Sequence, residues 1–165
     1  MQDTAASSQL NALKVACSAC NLRELCLPVG LSDEEMLSLD NMVSTRRSVK
    51  RGESLFHSGD AFGALYAVRT GFFKTVVSAT DGREQVTGFQ MAGELIGLDG
   101  ISNDRHSCDA VALEDSTVYA LPVRSLGGWR QGSPALGHAL QFALSRQLAR
   151  VGEITEMMAA VAAEV

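Results

Sequence analysis

From about residue 46 the chain alternates short apolar runs with glycines. Gly52, Gly59, Gly71, Gly82 and Gly93 punctuate stretches rich in Val, Phe, Leu and Thr. Their spacing is close to one strand plus one turn, which predicts a mainly β domain. Asp81-Gly82 lies between KTVVSAT and EQVTGF. It reads as a hairpin turn, because glycine accepts the positive φ that a type I′ turn requires. Glu114-Asp115, between CDAVAL and STVYAL, reads as a second hairpin. Regular short strands with glycine turns imply a β-sandwich or roll, closed so that its edges are hidden.

Helical patterns flank this region. Ser32 followed by Glu35 forms a capping box. Met36, Leu39 and Val43, with Met42 beside them, then recur at helical spacing and give that helix an apolar face for docking on a sheet. After Pro134 the grammar turns helical again, with two glycines and no further proline. Leu144, Leu148, Val151, Thr155, Met158, Ala162 and Val165 step by four and three, a heptad-like seam suited to helix pairing across a dimer. Ile154 and Val161 add a second apolar stripe, more than one helix packed on one sheet needs. The pattern runs to Val165 without a C-cap glycine or a basic last turn, so a further segment is expected in a longer protein. The organisation expected is a cysteine-rich segment over 1–30, a roll over 31–133 and a dimerisation helix over 134–165.

Composition narrows the function. At 46% hydrophobic and 20% charged residues the chain is too apolar for disorder. Its net charge of −5 is the opposite of what a domain that contacts DNA phosphates carries. The basic run Arg46, Arg47, Lys50, Arg51 is short and reads as a solvated strand edge. The N-terminus lacks a secretory signal pattern, and no stretch approaches the roughly 20 apolar residues of a membrane helix. A cytoplasmic setting follows, in which disulfides are not the default use of cysteine. No Ser/His/Asp set, phosphate loop or carboxylate pair stands out, so an enzyme is not expected.

Three of the four cysteines, Cys17, Cys20 and Cys26, fall in one short segment as C-x2-C-x5-C. Clustered thiolates need a cation, and soft sulfur ligands select zinc or iron–sulfur iron. A structural zinc site commonly shows two paired units, but here there is one C-x2-C, and His57, His106 and His138 are scattered. A four-iron cluster needs four cysteines that need not come in matching pairs, and Cys108 is the remaining candidate. A zinc-stabilised domain stays open as the alternative.

These residues resemble a known family. The segment C-x2-C-x5-C-L-P is followed by Gly52-Glu53-Ser54-Leu55-Phe56, Gly59-Asp60 and Leu65-Tyr66-Ala67-Val68-Arg69. Glu84-Gln85-Val86-Thr87-Gly88-Phe89, Gly93-Glu94-Leu95-Ile96-Gly97 and Ala112-Leu113-Glu114 complete the set. Together they are similar to Fnr-type regulators of the Crp/Fnr family over residues 17–165. The resemblance implies a cyclic-nucleotide-binding-type β-roll (a double-stranded β-helix or jelly roll) followed by a long dimerisation helix. A helix-turn-helix DNA-binding domain normally comes next. It also implies a [4Fe-4S] cluster that favours a homodimer when loaded and loosens it on meeting oxygen. The dimer of the full-length protein would bind DNA and act with RNA polymerase.

Three of the family's cysteines carry over to Cys17, Cys20 and Cys26. The position of the fourth, ahead of Leu121-Pro122, holds Tyr119. If Glu114-Asp115 is a tight turn, Cys108 offers an equivalent thiolate from the neighbouring strand. In cyclic-AMP-binding relatives an Arg-Ser or Arg-Thr pair takes the cyclic phosphate. Here His106-Ser107 falls at that position, and Arg105 is one residue early, turned to the opposite face. Cyclic nucleotide is therefore not expected, although a nucleotide-responsive regulator of the same fold is the second alternative. Glu94 is expected to be a structural turn residue.

Overall fold

The computed structural model describes residues 32–43, 45–122 and 134–163. Helix α1 (Asp33–Met42) starts as its capping box predicts. The Ser32 N–H donates to Glu35 Oε2 at 2.9 Å, and the Glu35 N–H donates to Ser32 Oγ at 3.3 Å. Asp33, Glu34 and Glu35 place negative charge against the positive end of the helix dipole. Val43, just past the helix, is buried, whereas the side chains of Met36, Leu39 and Met42 lie outside what is described.

Eight strands follow: β1 (Thr45–Val49), β2 (Ser54–Phe56), β3 (Ala64–Thr70), β4 (Phe72–Ser78), β5 (Glu84–Met91), β6 (Leu95–Ile96), β7 (Asp109–Ala112) and β8 (Ser116–Pro122). They form two antiparallel four-stranded sheets, ordered β1-β8-β3-β6 and β2-β7-β4-β5. Val49, Val68, Ile96 and Val118 from the first sheet meet Leu55, Phe56, Phe73, Ala110 and Ala112 from the second in one core. The fold is therefore the mainly β roll that the glycine-punctuated pattern predicts. β1 is an edge strand with Arg46 and Arg47 exposed, as expected for the basic run.

The five punctuating glycines all adopt positive φ. At Gly71 (φ +97°) the requirement is doubly strict, because a Cβ there would lie 2.0 Å from Ser116 Oγ. That hydroxyl accepts the Phe72 N–H at 3.2 Å and donates to the Glu114 carbonyl at 2.8 Å. The close approach of two backbones thus joins the β3–β4 turn to the start of β8.

Two turn expectations need correction. Asp81-Gly82 does connect the paired strands β4 and β5, but within a loop spanning Ala79–Arg83 rather than a two-residue turn. The Ala79 N–H donates to the Arg83 carbonyl at 2.8 Å, and Asp81 Oδ1 accepts the Arg83 N–H at 3.1 Å, so side-chain bonding shapes a wider loop. Glu114-Asp115 is not a hairpin turn. β7 and β8 belong to different sheets, and this segment is the corner where the chain crosses between them. Asp115 fastens the corner by accepting the Arg51 N–H at 3.0 Å and the Lys50 ammonium at 3.1 Å. These bonds, the first above all, hold its carboxyl below the usual range.

A 30-residue helix, α2 (Pro134–Ala163), closes the described chain. No helix among the described residues is long and apolar enough to cross a membrane.

Candidate functional site

The chemistry-bearing residues of the roll gather around a short 3-10 turn (Leu98–Ile101) that follows β6 and carries Asp99. The Asp99 carboxylate faces the segment leading into β7. Its Oδ2 accepts the Ser107 N–H at 2.7 Å, with Ser107 Oγ at 3.4 Å and Cys108 Sγ at 3.5 Å. Its Oδ1 lies 3.2 Å from His106 Nδ1. His106 is buried, stacked on Phe56 at 3.6 Å between ring centroids and edge-on to Phe62 at 5.6 Å. Arg105 points elsewhere, donating to the Gly59 carbonyl at 2.8 Å.

Cys108 lies in the interior of the roll and belongs to its apolar core. Burial first, and then the Asp99 and Asp109 carboxylates, push its thiol up to about 12. The group is therefore a protonated thiol at neutral pH, in surroundings that oppose a thiolate.

Tyr119 sits in β8, whose neighbours are β1 and β3. It pairs with Arg46 on one side and Ala67 on the other. Residues Ser116 to Leu121 are all buried, so β8 is covered on both faces. Val118 points into the core, and Tyr119, one residue on, points to the sheet's other face. There its hydroxyl accepts from the Arg69 guanidinium at 2.5 Å, and the guanidinium carbon lies 5.6 Å from the ring centre. The expectation that Cys108 stands on the strand next to Tyr119 is corrected: Cys108 lies just ahead of β7, which belongs to the other sheet from the β8 of Tyr119, and of the two residues only Cys108 belongs to the core cluster.

Cys17, Cys20 and Cys26 lie outside the described residues. Among the described residues no group of three or more His, Cys, Asp or Glu is arranged to hold a metal. Cys108 Sγ lies against the Asp99 carboxylate at the margin of the apolar core.

Glu94 is the turn residue expected. Its Oε2 accepts the Met91 N–H at 2.8 Å, while Oε1 pairs with Arg150 of α2. This ion pair links roll and helix. Beside it a cavity of about 570 Å3 opens between β4–β5 and α2, lined in part by Phe89, Asp99, Ser107, Cys108, Gln147 and Arg150. No feature of the sequence pointed to Asp99 as the centre of these contacts.

Of the residues expected at a helix seam, Leu148 (73%), Val151 (50%) and Met158 (53%) are exposed, and Leu144 is half-buried. Ile154, on the second stripe, is half-buried and lines the cavity beside the roll. Val161 is exposed.

Comparison with known proteins agrees with this architecture. The cyclic nucleotide-binding domain model matches residues 46–130. The chain is 40% identical over 132 residues to the transcriptional activator protein Anr of Pseudomonas protegens, covering 80% of this chain and 54% of that protein. It is 35% identical over 134 residues to the fumarate and nitrate reduction regulatory protein of Yersinia pestis, covering 81% and 54%. It thus spans about half the length of these curated relatives. Among solved structures, the catabolite activator protein of Thermus thermophilus superposes with a TM-score of 0.66 at 28% identity, over 81% of this chain and 62% of that one. These relatives are regulators rather than enzymes. By its two-sheet roll and the family model matched over residues 46–130, the chain belongs to the cyclic nucleotide-binding domain family, and it is similar in sequence to transcription regulators of the Crp/Fnr group.

Proposed function

We propose that this chain is the sensory portion of a cytoplasmic, oxygen- or redox-responsive transcription regulator in which a [4Fe-4S] cluster controls dimerisation and so DNA binding. The observation that carries the reading is the C-x2-C-x5-C segment of Cys17, Cys20 and Cys26, placed directly ahead of a roll with relatives named as fumarate and nitrate reduction regulators. Three closely spaced thiolates supply soft ligands for iron, and the cluster, when bound, supplies the oxygen-sensitive chemistry. Cys108 is the remaining cysteine and the proposed fourth ligand. To serve, its thiol must leave the Asp99 contact and lose a proton that burial and two carboxylates hold.

The helix contributes the second half of the reading. Leu148, Val151 and Met158 present an exposed apolar stripe at heptad-like spacing, suited to a homodimer through α2. DNA and RNA polymerase would be partners of the full-length protein.

The test is purification without oxygen, with iron, sulfide and visible absorbance measured before and after air is admitted. Stoichiometric iron and sulfide with a colour lost in air is the expected result. Zinc without iron would overturn the cluster and favour the zinc-stabilised alternative. Cys108→Ala should lose the cluster, and full retention would remove Cys108 from the ligand set.

A further inference from the structure

We propose that Asp99 is a built-in anion: its carboxylate fills an oxyanion cradle formed by residues 106–108 and so closes the cavity between the roll and α2 to phosphates and phosphate esters. Ser107 N–H, Ser107 Oγ, Cys108 Sγ and His106 Nδ1 come from three consecutive residues and converge on this one carboxylate. Backbone amide, hydroxyl and ring N–H groups converging in this way are the donors a phosphate oxygen takes, and the carboxylate competes for them directly.

The cradle does not depend on Asp99 for its shape. His106 is held by Phe56 and Phe62, and its backbone N–H donates to the Asp60 carbonyl at 2.9 Å. Ser107 and Cys108 then run straight into β7, which pairs with both β2 and β4. The donors are therefore preorganised, and what they bind is decided by which anion is present.

The space beside them is large enough to matter. A cavity of about 570 Å3 lies within the range of small-molecule sites. Its cations are already engaged or absent: Arg150 is paired with Glu94, and Arg105 is turned to the Gly59 carbonyl. An incoming phosphate would meet the Asp99 carboxylate first and would find its donors occupied. The cavity is thus closed to anions by charge and by prior satisfaction of its donors, not by lack of room. Asp99 is the residue that sets this selectivity in the cluster-free chain.

The experiment uses the full chain and calorimetric titration with inorganic phosphate at constant ionic strength, followed by cyclic AMP. Wild-type protein should take up neither. Asp99→Ala should bind phosphate with roughly millimolar affinity, the level of a few charge-assisted hydrogen bonds. Adding Ser107→Ala should weaken that binding roughly tenfold. Phosphate binding by the wild type as tight as by the variant would overturn the proposal. If Asp99→Ala does not fold, Asp99→Ser is read instead, because it keeps a polar side chain on the turn but is too short to fill the cradle. A melting temperature raised by phosphate in Asp99→Ser but not in wild type supports the built-in anion. No phosphate effect on a folded Asp99→Ser overturns it.

Discussion

The interior of the roll and the outward face of α2 are both apolar, yet they stand in opposite relations to water. In the roll, Phe73, Leu65, Val68 and Val118 are fully buried between or within the two sheets. Along α2, Leu148, Val151 and Met158 are each at least half exposed. The first set is satisfied by the chain itself. The second is left for something outside it, since a contiguous exposed apolar stripe is an interaction surface more often than an accident. The same residue types therefore support folding in one region and association in the other.

Substitutions can break or sharpen this contrast. The largest effect is expected inside the roll. Phe73→Ala removes a fully buried ring from between the sheets and should lower stability by about 3–5 kcal/mol, read by denaturant unfolding. The Cys108 thiol sharpens the same side of the comparison. With its pKa pushed from 9.0 to about 12, the thiolate fraction near neutrality falls roughly a thousandfold. Alkylation of Cys108 in folded, metal-free protein should be slower by that factor than in urea.

The sign of the accompanying pH effect follows from proton counts. The unfolded thiol releases its proton near pH 9 and the folded one near pH 12, so the unfolded state binds fewer protons between them. Stability should fall as pH rises through that window, and Cys108→Ala should remove this part of the alkaline loss.

Gly71→Ala comes next. It forces a side chain into a positive-φ position and against Ser116, and should cost about 1–3 kcal/mol in thermal unfolding. At the small end for stability, Val151→Asp on the outward face should change unfolding by only about 0.5 kcal/mol. Its effect belongs to association. It should shift the protein toward monomer in sedimentation, and an unchanged dimer would remove Val151 from the seam.

Local chemistry explains which features could be read in advance. The capping box of Ser32 and Glu35, the turn glycines and the step-of-four-and-three pattern of α2 each act within a few residues, so the sequence displays them directly. Repeated short strands without room for crossover helices likewise forced two antiparallel sheets. Glu94 could be assigned to a turn through the resemblance of Gly93-Glu94-Leu95 to a turn of the family.

The partner of each strand was decided by tertiary structure alone. Glu114-Asp115 has the composition of a hairpin turn, and nothing local distinguishes a turn within a sheet from a corner between sheets. Only the packing of Ala110 and Ala112 with β4 on one side, and of Val118 with β3 on the other, separates β7 from β8. That separation sends Cys108 into the interior and away from Tyr119. The role of Asp99 is of the same kind. Its contacts lie seven to nine residues along the chain and depend on how the 3-10 turn packs beside β7. Sequence by itself determined a β-sandwich or roll with a cysteine-rich lead and a long amphipathic helix, because periodicity and turn chemistry are local. The three-dimensional packing determined that the Cys108 thiol lies in the interior and that the Asp99 carboxylate faces it, because those are contacts between segments that no local pattern records.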